Sequence, residues 1–271
     1  MASFRGMRSG LAHGRLPLVG VLLALALLAW LVTGRRMAGM DGGPGTDLGA
    51  LGFYVSAWVL MMAAMMFPSI TPMVLTYRRI LLRRATLRGR TDRGATWLFV
   101  GGYLVAWTAF GLAAYGLFAA VQSVSIDILS WDRGGRFLAA AVILAAAAYQ
   151  FTPAKDACLR RCRAPLAFLT EEWRSGRRGA LVMGIVHGAW CVGCCWALMA
   201  ALFALGVMSV GWMIFVAALI AMEKLLPWKR FANRGVAVLL AALALGVGLA
   251  PEDVPGLTVP SSEASRMPMG R

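Results

Sequence analysis

The sequence predicts an all-α, polytopic transmembrane bundle of about seven spans, with the N-terminus inside and the C-terminus outside. Three observations predict it. Of 271 residues, 60% are hydrophobic and only 14% charged, at a mean hydropathy of +0.71; a soluble domain carries about a quarter charged residues. Apolar runs of about 20 residues, enough to cross a bilayer, recur along the chain. The alternating, turn-punctuated pattern of a membrane β-barrel is absent. Residues 1–250 read as a single transmembrane helical domain, and 251–271 as a polar, disordered tail.

The spans follow in order. The first is Pro17–Thr33, an apolar run behind a basic stretch. No small-x-small cleavage site follows it, so it is expected to be retained rather than removed as a signal peptide. The second, Gly49–Phe67, is expected to stop or kink at Pro68 and Pro72, because proline lacks the N–H that a helix interior needs. Trp97–Val121 and Gly135–Phe151 are the third and fourth, with Pro153 just beyond. Gly179–Gly206 is the fifth. Gly211–Leu226, the sixth, is short, and Gly235–Ala250 completes the set.

Charge supports this order. Twenty-one of the 27 basic residues fall on one side of the seven-span arrangement and six on the other. The positive-inside rule then puts the richer side in the cytoplasm. A net charge of +15 raises the question of nucleic acid. The distribution answers it: the basic residues sit in short loops between spans, where they set topology and meet anionic headgroups. No nucleic-acid partner is expected. A Gly-rich phosphate loop and a nucleophile elbow are absent, as is a soluble domain to carry either.

The most informative stretch is His187-Gly-Ala-Trp-Cys191-Val-Gly-Cys194-Cys195-Trp-Ala-Leu-Met199, inside the fifth span. At about 100° per residue, Met183, His187, Cys191 and Cys194 share a stripe about 80° wide, with Cys195 at its margin. Residues four apart lie about 5–6 Å from each other, a workable spacing for two ligands on one ion. Thiolate, thioether and imidazole are soft or borderline ligands that select Cu(I), or Zn(II) in a tetrahedral shell. Gly184, Gly188 and Gly193 flank the stripe and admit a neighbouring helix. The bland alternative is packing, since a free cysteine is a small, often buried hydrophobe. One helix supplies half a site, so other spans must contribute.

Two further groups qualify. Met61, Met62, Met65 and Met66 form two i, i+4 pairs at the end of the second span; thioethers suit Cu(I), although methionine is also a common gap-filler. Cys158 and Cys162 are i, i+4 in a basic segment between spans four and five. There Lys155, Arg160, Arg161 and Arg163 would favour thiolate, making a cytoplasmic mouth for a soft cation. Glu223 reads best as an interfacial residue paired with Lys224, and His13 as a solvated tail residue.

Taken together, Met61–Pro68, Tyr149–Pro165 with its two cysteines, His187–Met199 and Met222-Glu223-Lys224 with Pro227 resemble an uncharacterised prokaryotic family of predicted metal-binding integral membrane proteins. The resemblance covers spans two to six in order. It implies a helical membrane protein with a metal site, in a prokaryotic plasma (inner) membrane.

The expected function is binding of a soft metal ion, copper before zinc, in metal handling, transfer or transport. The candidate ligands are His187, Cys191, Cys194, Cys195, Met61, Met62, Met65, Met66, Cys158 and Cys162. Expected partners are the lipid bilayer and a metallochaperone or another membrane subunit. Two alternatives stay open: a thiol-disulfide oxidoreductase using Cys191 and Cys194, and a non-enzymatic assembly subunit. A catalytic role is the less expected one.

Overall fold

A computed structural model describes residues 16–40, 43–44, 48–88, 94–123, 131–226 and 229–258. His13, Pro227, Trp228 and the tail from 259 lie outside the described residues. Among those described, the secondary structure is helical, with no strand. Nine α-helices run in order: α1 Leu16–Met37, α2 Leu51–Arg88, α3 Ala95–Ser123, α4 Arg136–Tyr149, α5 Pro153–Arg163, α6 Pro165–Glu171, α7 Gly176–Leu205, α8 Val210–Leu225 and α9 Lys229–Leu249. A π-helical turn, Trp131–Gly135, leads into α4, and a 3₁₀ turn, Pro251–Asp253, follows α9.

Among the described residues, five helices are long and apolar enough to cross a membrane: α1, α2, α3, α7 and α9. They become six if α4 and α5, bent 66° from one another, make one broken span. The bend has a local cause. At about 1.5 Å per residue, the 14 residues of α4 cover about 21 Å, less than a hydrocarbon core of about 30 Å. The chain then restarts as α5, where Thr152 is the N-cap, accepting from the Lys155 N–H at 3.2 Å, and Pro153 takes the first turn. The segment around Cys158 and Cys162 is therefore a helix rather than a loop. α8, with 16 residues, is the short helix expected from the sequence.

Pro68 and Pro72 do not end the second helix. α2 runs through both for 38 residues. Ser69 and Thr71 donate hydroxyl hydrogen bonds to the Met66 and Phe67 carbonyls at 2.9 and 2.7 Å.

α3 and α7 form the most extensive helix pair, and glycine is the reason. A Cβ at Gly184 would overlap the Phe99 carbonyl oxygen, and one at Gly102 would overlap the Leu181 carbonyl oxygen. Gly188 faces the Tyr103 carbonyl oxygen at 2.9 Å from where its Cβ would stand. The expected admission of a neighbour by Gly184 and Gly188 is therefore met, and the neighbour is α3. Elsewhere α1 packs on α2, α2 on α3, α9 on α4, and both α4 and α5 on α7. Polar side chains tie α2 to α3: Trp58 Nε1 donates to the Trp107 carbonyl at 2.9 Å, and the Tyr54 hydroxyl to that of Gly111 at 3.0 Å. α7 stops at Gly206, whose φ of +112° lies in the region that favours glycine.

Gly184→Leu should lower the thermal unfolding temperature of the purified protein in detergent, at a cost of about 1–3 kcal/mol from overpacking or more. Gly101→Leu, where a Cβ meets nothing within 4 Å, should leave it near wild type.

Candidate metal centre

The thiols converge from two helices. Cys191 and Cys194 lie one turn apart on α7, and α5 packs against that face with Cys162. The Sγ atoms of Cys162, Cys191 and Cys194 all lie within 4.8 Å of one another, a group that could hold a metal ion. Cys162 and Cys194 stand 3.7 Å apart, and Cys194 and Cys195 3.3 Å. The Cys194 thiol also donates to the Cys191 carbonyl at 3.1 Å. All three α7 thiols are buried, Cys162 is half-buried, and none of the five cysteines is in a disulfide. The fit to a soft metal rests on this donor set: three sulfurs held in an apolar core, with no hard oxygen ligand among them.

Gly193 explains how α5 comes so near. Its missing Cβ would stand 2.7 Å from Cys158 Sγ, so the glycine leaves room for this sulfur. Cys158 therefore packs on α7 beside the group and is not one of its three members. Tyr149, at the end of α4, donates to the Gly193 carbonyl at 2.7 Å and stacks edge-on to Trp196.

A cation faces the sulfurs. Lys224 on α8 reaches Cys191 Sγ at 2.8 Å, and the Tyr103 hydroxyl of α3 meets the same sulfur at 3.1 Å. The sequence reading paired Lys224 with Glu223, and the structure corrects it. These neighbours on α8 point to different elements: Glu223 pairs with Lys155 of α5 at 2.7 Å, both side chains almost fully buried. Two of the other basic residues of α5, expected to favour thiolate at Cys158 and Cys162, are engaged elsewhere. Arg161 pairs with Glu171 at 2.8 Å and lies over the Trp190 ring, while Arg163 donates to the Leu226 carbonyl.

The remaining candidates lie in the same core, and of the histidine and cysteine candidates only Cys162, Cys191 and Cys194 form the close group. His187 is buried one turn before Cys191, with its ring 5.1 Å from that of Phe168 and 6.0 Å from those of Phe99 and Tyr103. Its Nδ1 has no hydrogen-bond partner. Met183, on the same stripe, receives the Arg174 backbone N–H on its sulfur at 3.3 Å. Met61, Met62, Met65 and Met66 are all buried. α2 packs chiefly on α1, α3 and α8 and meets α7 where the Trp58 ring lies 5.8 Å from that of Phe203, and the four methionines belong to the same buried core as the thiols.

Sequence reasoning missed Tyr103 and the true partners of Lys155, Glu223 and Lys224. The available signal was ionic residues inside otherwise apolar segments, which are costly there unless paired.

Fold and site define a bundle of long apolar helices around a buried three-thiol cluster. The profile of the PpoB2 family, described as copper chaperone, matches residues 55–247. This is well over half of the 271 residues, and the chain belongs to that family. No curated protein matches the chain. No solved structure matches it either.

The buried ion pair makes a testable cycle. Lys155→Met or Glu223→Leu alone should destabilise the protein by about 3–5 kcal/mol, because each leaves one uncompensated buried charge. The double variant should recover much of that loss in detergent unfolding experiments.

Proposed function

We propose that this chain is an integral membrane protein that binds Cu(I) as cargo through Cys162, Cys191 and Cys194 and passes it to a partner. The observation that carries this reading is the convergence of α5 and α7, which turns two cysteines on one helix into a three-sulfur group. Membership in a copper-chaperone family supports copper over zinc. Sulfur ligands act as thiolates, so loading releases protons. Three thiolates around Cu(I) carry excess negative charge, and the Lys224 ammonium at Cys191 offsets part of it. His187, with its unpartnered nitrogen one turn away, and Cys195, beside Cys194, are the next ligands on the path. Cys158 borders the α5 side, and Met61, Met62, Met65 and Met66 offer soft thioethers farther along the core. The burial that protects the thiols also slows thiol exchange, which favours metal binding over an oxidoreductase.

Residues 1–250 make one membrane domain in this proposal, multi-pass in a prokaryotic plasma membrane. The seven spans are α1, α2, α3, the bent α4–α5 pair, α7, α8 and α9. The basic segments face the cytoplasm and the C-terminus lies outside. The cargo's destination is a metallochaperone or another membrane subunit.

Elemental analysis of the purified, Cu(I)-loaded protein should find stoichiometric copper. Cys191→Ser/Cys194→Ser should lose it, and Cys162→Ser should weaken retention against a competing chelator. A wild type that stays metal-free after copper loading would falsify the proposal. Thiol counting by mass tags should show all five cysteines free without reductant; a stable Cys191–Cys194 disulfide favours the oxidoreductase instead. For topology, an enzyme reporter active only outside the cytoplasm should be active when fused after residue 258 and silent when fused after residue 172.

A further inference from the structure

A second site lies beside the thiol cluster, at the elbow where α4, α5 and α9 meet. It is a cavity of about 350 Å³ whose polar lining includes Gln150, Asp156, Arg160, Arg163, Asn233 and Arg234. Three guanidinium groups face one carboxylate there. The adjoining Lys155–Glu223 pair is internally neutral, so the cavity keeps a positive excess.

Some of its buried polar atoms have no partner. Gln150 is 2% exposed; its amide nitrogen is turned to the Glu223 carboxylate, while its oxygen has no hydrogen-bond partner. Asn233 is 7% exposed, and its Oδ1 is likewise alone. Arg163 spends one terminal nitrogen on the Leu226 carbonyl, and its other, Nη1, is buried with no partner. Buried polar groups are almost always hydrogen-bonded, and each orphan costs about 1–3 kcal/mol. Several orphans around one roomy, positive cavity mark the outline of a ligand.

The atoms describe its chemistry. Arg163, Arg160 and Arg234 call for an anion with several acceptor oxygens, and guanidinium is the side chain best matched to phosphate. The Asn233 and Gln150 carbonyl oxygens accept only, so the ligand must also donate from hydroxyls. We infer that this cavity binds a phosphate ester carrying free hydroxyls, as in a phosphoglycerol group. Phe151, which also lines the cavity, is 65% exposed and offers an apolar flank of the kind an acyl chain covers. Basic pockets between helices on the cytoplasmic side of a membrane suit anionic headgroups. The occupant lies between α5 and α9.

The phosphoglycerol group can come from lipid or from solution, and two measurements separate the sources. Full-length protein in detergent, stripped of lipid, is offered phosphatidylglycerol against phosphatidylcholine, and bound lipid is counted by native mass spectrometry. The same protein is titrated calorimetrically with sn-glycerol 3-phosphate and with inorganic phosphate. Wild type should prefer phosphatidylglycerol, and Arg234→Gln and Gln150→Leu should each weaken binding about tenfold, with copper content unchanged. Binding of glycerol phosphate alone, with the same sensitivity to both variants, supports the site and assigns it a soluble ligand. If Gln150→Leu loses helicity, the exposed Arg234→Gln decides by itself. No binding in either measurement overturns the inference, as does wild-type binding that survives the variants. Copper is counted separately, so failure of this site and failure of the thiol site are distinct results.

Discussion

The Glu223-Lys224 dipeptide near the end of α8 sets the constraint on which the centre depends. Two ionic residues in a 16-residue apolar helix must each find a counterpart inside the protein. Glu223 finds Lys155 on α5 at 2.7 Å, and Lys224 finds the Cys191 sulfur on α7 at 2.8 Å. Adjacent residues thus fasten α8 to two different helices. A buried pair of this kind is weak evidence for stability, since desolvation offsets much of the attraction. Its value here is positional: it fixes where α5 lies, and α5 carries the third thiol.

From that junction the geometry follows. α5 leaves α4 at 66° and packs on α7 through Gly193, so Cys162 meets Cys191 and Cys194. On the other side of α7, Gly184 and Gly188 bring α3 near enough for the Tyr103 hydroxyl to touch Cys191. A single sulfur therefore receives an ammonium and a phenol from two helices. Small residues govern backbone approach, and the polar groups that need partners are drawn into the space so defined.

The sequence made most of the helices legible, because long apolar runs punctuated by arginine are a strong signal. It also made half of the site legible: the stripe of Met183, His187, Cys191 and Cys194 holds on α7, and all four are buried. What it could not supply was contact between elements. Periodicity says which face a residue occupies, not what lies opposite, so Cys162 looked like part of a separate mouth. Lys224 looked paired with its neighbour because adjacent opposite charges suggest a pair, although adjacent helical positions point about 100° apart. Pro68 and Pro72 do not end α2, which runs through both: proline removes a hydrogen bond from a helix interior, and a long apolar helix can continue past that loss.

The central claim is that copper sits among sulfurs brought together from α5 and α7. X-ray absorption at the copper edge of the Cu(I)-loaded protein reads that shell directly. The account predicts a first shell dominated by sulfur, about three per copper, losing one on Cys162→Ser. A shell of nitrogen and oxygen, or a sulfur count that ignores Cys162, would contradict it.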